Sequence, residues 1–332
     1  MSGITAKSLI TYLLKALFAG GLIFYMVSKG DLQFDLLYNN VPVPIIILGA
    51  LILLFCIFVN NFRWTILLRS QGIACSAVDT FKISLIGLFF NYMFPSSVGG
   101  DVMRSFYISK ENSGNRVKSV FSVVADRLVG MGSMLILALV TMLIYSDLVF
   151  SNSDLTSVFY SVLMVTFGFI SFLTITFSKK VRAYFLNFSI FQKLPLKDKI
   201  ASLYEAFHSY GEYKRVLLKG LALSLVSQIL MTYFMILVGS YVGGDDLSLG
   251  TYFFAVPIGL IVMSLPIAPA GIGVGQFAFA YLFNAFSGVD TSVGQLVITA
   301  YQLTLILWGI IGAIFYIQRK SSTAKEEELL HE

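Results

Sequence analysis

Long apolar runs constrain this chain more than any other feature. Six of them reach the roughly 20 residues that a helix needs to cross about 30 Å of hydrocarbon. A mean hydropathy of +0.82 and a charged fraction of 12% leave too few polar side chains to cover a soluble globule, in which charged residues make up about a quarter. The sequence therefore predicts an all-α polytopic membrane protein. The six predicted spans lie near residues 9–28, 42–60, 119–145, 156–177, 216–241 and 292–317.

Two further apolar stretches, residues 81–95 and 251–287, are interrupted by proline and glycine. Proline removes a backbone donor and glycine permits tight turns. Irregular backbone is tolerated at membrane depth only when it is buried in protein or lines a water-filled cavity. We therefore predict that these interruptions act as hinges or gates beside such a cavity. The residues predicted for this role are Pro95, Pro266, Pro269, Gly271, Gly273 and Gly275.

The distribution of charge predicts how both stretches enter the membrane. Lys and Arg concentrate in residues 61–82, 104–118 and 178–215, which the positive-inside rule assigns to the cytoplasm. If residues 81–95 crossed the membrane, the basic groups on its two sides would lie on opposite faces. The pattern thus favours a re-entrant hairpin that enters and leaves from the cytoplasm. Acidic flanks make residues 251–287 a hairpin that enters from outside.

The predicted elements form two halves of opposite orientation within a single transmembrane domain, residues 1–320. Each half, 9–145 and 156–317, contains two spans, a hairpin and a span, which is an inverted-topology repeat. Both termini are then cytoplasmic, and the expected location is the cell membrane. Eight plain spans remain the alternative. Residues 197–213 predict an amphipathic helix at the membrane surface, and 321–332 a polar tail.

Asp101 and Arg104 are spaced to share a face of a helix that begins near Gly99. One interpretation is a capped helix with a local ion pair. The other is a headgroup site in which Arg104 binds a lipid phosphate and the amides of Gly99 and Gly100 assist. The sequence leaves both open.

Asp126 and Arg127 lie within the run that follows Lys118. At headgroup depth such side chains can extend their charged ends into water at little cost in free energy. Deeper in the membrane each costs about 2.5–3.5 kcal/mol and needs partners. We predict the deeper placement, with Arg104 and Asp101 as those partners.

Other polar residues, and the absence of known motifs, limit the reactions that this chain is expected to catalyse. Arg63 and Trp64 predict an anchor at the cytoplasmic interface. Gln276, near the second interruption, is either a ligand contact or part of a glycine-rich packing site. The chain has no nucleotide-binding loop, metalloprotease motif or nucleophile elbow, so we expect no cofactor, metal or catalytic residue. The basic residues form no single stripe, so we expect no nucleic-acid partner.

Four segments, NFRW, NYMFPSSVGGDVMR, SVVADRLVG and PIAPAGIGVGQ, occur in this order. Together they resemble the lysylphosphatidylglycerol synthase transmembrane-domain family of flippase-like proteins. The resemblance implies movement of lipids between leaflets. The family's last motif usually ends in an acidic residue where this chain has Gln276, which argues against a proton or cation role there. The chain stops soon after Lys320, so aminoacylation by a soluble synthase domain is not expected. The matching residues are Asn91, Pro95, Gly99, Gly100, Asp101, Arg104, Asp126 and Arg127 in the first block and Pro269, Gly271, Gly273 and Gln276 in the last.

These observations predict a lipid translocator that moves an anionic or phosphate-bearing lipid through a polar cavity between the hairpins. Arg104 and Arg127 would bind phosphate, and Asp101 and Asp126 would orient them. The alternatives are an intramembrane glycosyl or lipid-transfer enzyme and a scaffold that does not transport. A homo-oligomer and a lipid-modifying enzyme partner both remain open. The full set predicted to bind substrate is Arg104, Arg127, Asp101, Asp126, Asn91, Gly99, Gly100 and Gln276.

Overall fold

The computed structural model describes residues 34–94, 97–178 and 208–329, together with positions 21, 24, 28, 205 and 206. Every regular element in those ranges is helical, as the sequence predicts. The α-helices are α1 (Phe34–Asn40), α2 (Val43–Ser70), α3 (Ala77–Met93), α4 (Gly99–Glu111), α5 (Arg116–Ile144), α6 (Ser146–Ser151), α7 (Ser153–Phe177), α8 (Lys214–Gly239), α9 (Leu249–Ser264), α10 (Val274–Ser287) and α11 (Val293–Leu329).

Five described helices, α2, α5, α7, α8 and α11, are long and apolar enough to cross a membrane. They correspond to five of the six predicted spans. The sixth, residues 9–28, lies outside the described residues, as do Pro95 and most of the predicted surface helix 197–213. The last helix, α11, continues to Leu329 and so includes most of the segment predicted to be a polar tail.

The outward faces of these helices are apolar. On α7, Phe167 is 73% exposed and Met164 is 71% exposed. Contiguous exposed apolar surface of this kind is rare on soluble monomers, whereas a lipid environment accommodates it. The protein is therefore an integral membrane protein.

The first interrupted stretch forms a helical hairpin, in which α3 and α4 fold back on one another. A methyl group at Gly87 of α3 would lie 3.0 Å from the carbonyl oxygen of Gly100 and 3.0 Å from Cγ of Arg104. The two helices approach so closely because glycine occupies the contact. Residues 81–93 lie in one continuous helix, so the interruption comes at the end of the stretch 81–95 and not within it. The second arm of the hairpin is α4, and entry from the cytoplasmic side stays a prediction.

The second interrupted stretch forms the hairpin of α9 and α10. A methyl group at Gly259 of α9 would collide with the ring of Phe279 of α10, and one at Gly275 would lie 2.9 Å from Sδ of Met263. Residues 265–273 separate the helices and include a short 3-10 turn, Pro269–Gly271. The break thus occurs where the sequence predicts it.

The described residues fall into two compact units that interleave along the chain. The first, here called the hairpin unit, takes its residues from Met1–Phe58, Phe81–Arg104 and Ile229–Glu332. The second, the ion-pair unit, takes its residues from Val59–Thr80 and Ser105–Gln228. These units do not coincide with the predicted halves, and the inverted repeat stays a prediction.

Aromatic packing positions the second hairpin inside the hairpin unit. Tyr252 of α9 meets Phe283 of α10 edge to face, with ring centroids 5.1 Å apart. The backbone of α11 approaches α10 at Gly294, where a methyl group would lie 3.0 Å from the Phe283 ring. Close packing on both sides of α10 brings the start of that helix against α11, so polar side chains of α11 can reach the break.

Candidate functional site

The two hairpins meet at their breaks within the hairpin unit. Ser97 lies between α3 and α4, and its hydroxyl donates to the carbonyl oxygens of Ser264 at 3.0 Å and Leu265 at 3.1 Å. Those carbonyls lie at the C-terminal end of α9, where the helix leaves its last acceptors without intrahelical donors. Ser97 is buried. The contact therefore joins both interruptions through one side chain, which the sequence did not single out.

Asp101 and Arg104 lie on the first turns of α4, beyond this contact. Nη1 of Arg104 is 3.5 Å from Oδ1 of Asp101, and the two side chains retain 15% and 17% exposure respectively. Charge-assisted N–H···O bonds normally measure about 2.7–2.9 Å. The predicted pairing is confirmed, but it is long and partly accessible.

Asn91 and the adjacent glycines shape the turn into α4. The amide of Gly100 donates to Oδ1 of Asn91 at 2.7 Å, and a methyl group at Gly99 would lie 2.6 Å from the carbonyl oxygen of Phe90. These glycines permit close backbone packing. The Gly100 amide expected to assist a phosphate is engaged with Asn91 inside the hairpin, so the substrate contact predicted for both residues stays a prediction.

The second break contains an unusual backbone conformation. Ala270 has φ 48°, in the left-handed region that costs about 1–2 kcal/mol for a residue with a Cβ. Gly271 and Gly273 follow with φ 69° and 80°, which glycine adopts without that cost. Three such residues within four positions reverse the chain between α9 and α10.

Gln276 connects this break to α11. Its amide oxygen accepts from the backbone N–H of Gly273 at 2.8 Å. Its amide nitrogen donates to Thr299 at 3.1 Å and to Gln302 at 2.6 Å. Gln302 in turn donates to the carbonyl of Ala270 at 3.4 Å. These bonds support the packing interpretation of Gln276 and leave its substrate contact a prediction.

The residues of α11 that bind Gln276 were not identified from the sequence, although their spacing gave a signal. Gln295, Thr299 and Gln302 recur at helical spacing in an otherwise apolar span, and all are buried. Such a stripe marks one face of a helix. The hydroxyl of Tyr92 on α3 also donates to the carbonyl of Gln302 at 3.1 Å. Both hairpins are thus hydrogen-bonded to the same turn of α11.

The ion-pair unit contains a separate buried polar cluster. Nε of Arg63 donates to Oδ1 of Asp126 at 2.7 Å, and Nη1 donates to the Ser224 hydroxyl at 2.7 Å. Arg63 is 8% exposed and Asp126 is 3% exposed. The cluster therefore joins α2, α5 and α8 by short charge-assisted bonds.

Small residues make space for this guanidinium. A methyl group at Gly130 would lie 3.3 Å from Nη1 of Arg63, and one at Gly220 would lie 3.6 Å from its Cγ. The neighbouring Trp64 donates its indole N–H to Ser122 at 3.0 Å. The arrangement corrects the prediction that Arg63 and Trp64 are interfacial anchors. The predicted span ended at residue 60, whereas α2 continues to Ser70 and carries both side chains into the protein.

The partners predicted for Asp126 from the sequence did not include Arg63. Among the described residues, its ion pair is with Arg63, whereas Arg104 pairs with Asp101. The sequence did not indicate the pair of Arg63 and Asp126, because residues 63 and 126 are brought together only by helix packing. Arg127, on the same helix, is partly exposed. Its role in phosphate binding stays a prediction.

These features define a polytopic α-helical membrane protein with two broken helical hairpins that meet at a polar contact. The chain belongs to the family described as the lysylphosphatidylglycerol synthase TM region, which matches residues 12–313. A UPF0104 membrane protein of Methanothermobacter thermautotrophicus is 24% identical over 267 residues, which cover 75% of this chain and 78% of the relative. No solved structure matches the chain. The family resemblance seen in the sequence is thereby confirmed.

Proposed function

We propose that this protein moves an anionic or phosphate-bearing lipid between the leaflets of the cell membrane. The observation that carries the proposal is the contact of Ser97 with the carbonyls of Ser264 and Leu265, next to the accessible pair of Asp101 and Arg104. Polar groups at a helix break are the usual location of substrate sites in membrane transporters. Membership of the family agrees with a lipid substrate.

The difference between the two ion pairs supports Arg104 as the residue that binds the headgroup. The Arg63 pair is short and buried, and a ligand would have to break it to bind there. Arg104 lies 3.5 Å from its carboxylate partner and keeps access to solvent. A phosphate that approached the Arg104 guanidinium would gain shorter, charge-assisted bonds. Arg104 therefore binds the phosphate, and Asp101 orients the guanidinium between transport events.

In the proposed mechanism the contact between the two hairpins opens and closes. Separation of the hairpins breaks the hydrogen bond that the single Ser97 O–H shares between the two carbonyls, which has a net worth of about 1 kcal/mol. A phosphate oxygen can accept from the released hydroxyl, which offsets that loss. The headgroup then passes between the breaks while the acyl chains stay in the bilayer, and residues 265–273 act as the hinge.

We favour transport over transfer chemistry because of how the Ser97 hydroxyl is bonded. A nucleophilic serine needs a base that takes its proton. The Ser97 hydroxyl donates to backbone carbonyls of Ser264 and Leu265, which hold the proton without removing it. In the proposed orientation the first hairpin enters the membrane from the cytoplasm and the second enters from outside. Both termini are cytoplasmic by the positive-inside rule.

Reconstitution tests the proposal. The purified chain is placed in vesicles of phosphatidylcholine and phosphatidylglycerol that carry a trace of fluorescent phosphatidylglycerol, and a membrane-impermeant quencher reports the lipid that changes leaflet. Arg104→Gln removes a charge-assisted bond of about 1.5–3 kcal/mol, so we expect a rate lower by roughly tenfold or more. Asp101→Asn should also slow transport.

Lys110→Gln is the matched control, because Lys110 is an exposed basic residue at the end of the same helix. It should transport at the wild-type rate. No acceleration over protein-free vesicles for charged or neutral fluorescent lipids would refute translocation. A wild-type rate in Arg104→Gln would refute the assignment of the phosphate site.

A further inference from the structure

An apolar cavity lies inside the ion-pair unit, between α5, α7 and α8. Its volume is about 280 Å³. Its walls include Leu135, Phe169, Leu173 and Leu221. An apolar cavity of roughly 150 Å³ stays dry and accepts a hydrocarbon ligand in a soluble protein. This larger cavity therefore suits hydrocarbon and excludes ordered water.

The length of the cavity matches one membrane leaflet. Its lining on α5 extends from Ala125 to Ile136, which is about 16 Å at 1.5 Å per residue. The hydrocarbon core of a bilayer is about 30 Å thick, so the cavity spans about half of it. A lipid acyl chain that lay along α5 would thus occupy the depth of a single leaflet.

The cavity opens onto the apolar outer surface of the protein. The lining residues Ile170 and Leu218 are 56% and 65% exposed. The two polar groups in the lining have partners inside the protein, since Thr166 donates to Val162 at 2.7 Å and Tyr210 to Leu67 at 3.5 Å. The medium outside this opening is lipid, and an acyl chain can enter without desolvating a polar group.

A basic residue precedes the cavity lining on α8. Lys214 begins α8 and is exposed. It precedes the lining residues Leu217, Leu218 and Leu221 by three, four and seven positions, a spacing that places all four on one face of the helix. An ammonium group at the polar end of an acyl-chain cavity attracts a lipid phosphate.

We propose that this cavity holds one acyl chain of an anionic phospholipid whose phosphate binds Lys214. The site lies wholly within the ion-pair unit and uses none of the residues at the hairpin breaks, so it goes beyond the proposed translocation. The bound lipid is a resident ligand that stabilises α5, α7 and α8.

Photochemical labelling tests the site. The full chain in nanodiscs is irradiated with phosphatidylglycerol that carries a diazirine near the end of one chain, and labelled peptides are mapped by mass spectrometry. We expect labelling to concentrate on the lining of α5, α7 and α8. Phosphatidylcholine with the same chain should label the lining several-fold less, because it carries no net negative charge.

Two matched pairs of variants separate the cavity from the general lipid surface. Ile170→Trp narrows the opening of the cavity, and we expect cavity labelling to fall about tenfold. This is the loss of affinity expected when roughly two methylene groups of the acyl chain are no longer buried. Ile175→Trp is its control, since Ile175 lies on the same helix, is 55% exposed and does not line the cavity. Lys214→Gln should abolish the preference for phosphatidylglycerol. Lys219→Gln, an exposed position five residues along α8, should retain it.

Gly132→Leu provides a second way to fill the cavity from within, if tryptophan at position 170 points outward. Uniform labelling of all outward faces, or an equal loss in both tryptophan variants, would overturn the acyl-chain site. Equal labelling by the two lipids would overturn the role of Lys214. The translocation assay is scored separately, so loss of cavity labelling with unchanged transport distinguishes this site from the transport path.

Discussion

At the scale of single residues, the environment of an arginine decides what it can do. Arg63 is held by Asp126 and Ser224 at 2.7 Å each and is nearly inaccessible. Arg104 lies 3.5 Å from Asp101 and remains partly exposed. A buried pair that is broken leaves a charge without compensation, whereas a partly exposed cation can exchange one anionic partner for another. The first arginine therefore stabilises the fold, and the second is the one to which the proposed mechanism assigns the phosphate.

We predict that Arg63→Met destabilises the protein by about 3–5 kcal/mol, because Asp126 loses its cation in a buried site. Thermal unfolding and monodisperse yield in detergent measure the loss. The double variant Arg63→Met with Asp126→Leu should recover most of the stability, since apolar replacement of a buried pair is often neutral. Arg116→Met, at an exposed arginine that begins α5, is the control. A single variant as stable as wild type would contradict this role.

Backbone conformation at the second break gives a further prediction. Ala270→Gly should stabilise the protein by about 0.5–1 kcal/mol, because glycine adopts φ 48° without strain. Ala268→Gly is the control of opposite sign. Ala268 has φ −135°, is fully buried and would lose its packed methyl group. Thermal unfolding in detergent should therefore shift in opposite directions, and a shift in the same direction would argue against strain at Ala270.

At the scale of elements, the two hairpins act through their breaks. Ser97 binds the end of α9, Tyr92 binds α11, and Gln276 binds α11 from the second hairpin. Helices end at these positions because glycine and proline interrupt them, and the exposed carbonyls then require donors. Interrupted helices thus create the polar contact that the proposed mechanism opens.

Crosslinking tests whether the hairpins must separate. A Ser97→Cys and Leu265→Cys pair, in a background with Cys56 and Cys75 replaced by alanine, places two thiols on neighbouring backbone segments, because Oγ of Ser97 lies 3.1 Å from the backbone carbonyl oxygen of Leu265. Loss of free thiol on oxidation verifies that the crosslink forms. We expect lipid transport to stop in the oxidised protein and to return on reduction. Ser97→Cys alone should transport at the same rate before and after oxidation, whatever that rate is. Full transport by the crosslinked protein would show that the contact need not open.

At the scale of the whole molecule, topology decides the direction of each hairpin. Single cysteines placed by Ser97→Cys and Ala270→Cys can be labelled with an impermeant thiol reagent from either side of sealed vesicles. The charge distribution predicts that position 97 reacts from the cytoplasmic side and position 270 from outside. Position 75 serves as the cytoplasmic reference. Reaction of position 97 from outside alone would favour eight plain spans over opposed hairpins.

The reference cysteine has a predictable reactivity of its own. Burial raises the pKa of the Cys75 thiol, and the nearby Arg69 guanidinium only partly offsets this effect. Because the thiolate is the reactive form, native Cys75 should react slowly at neutral pH and faster as the pH rises. The comparison with positions 97 and 270 is therefore best made at one alkaline pH.

Much of the fold could be predicted from the sequence because span length and helix interruption are local properties. Five spans and both breaks occur where the apolar runs, prolines and glycines place them. The pair of Asp101 and Arg104 was predictable for the same reason, since three residues of helix set their spacing. The family was also recognisable from the order of short motifs.

The apolar runs, the interruptions and the local pair were therefore determined by the sequence alone. Tertiary structure decided which polar groups meet. Asp126 finds Arg63 across 63 positions, and Ser97 finds Ser264 across 167 positions. Neither spacing follows a helical period, so no pattern along the chain predicts them. The partners are chosen by packing, because a buried charge or carbonyl must be satisfied by whichever donor the neighbouring helix presents.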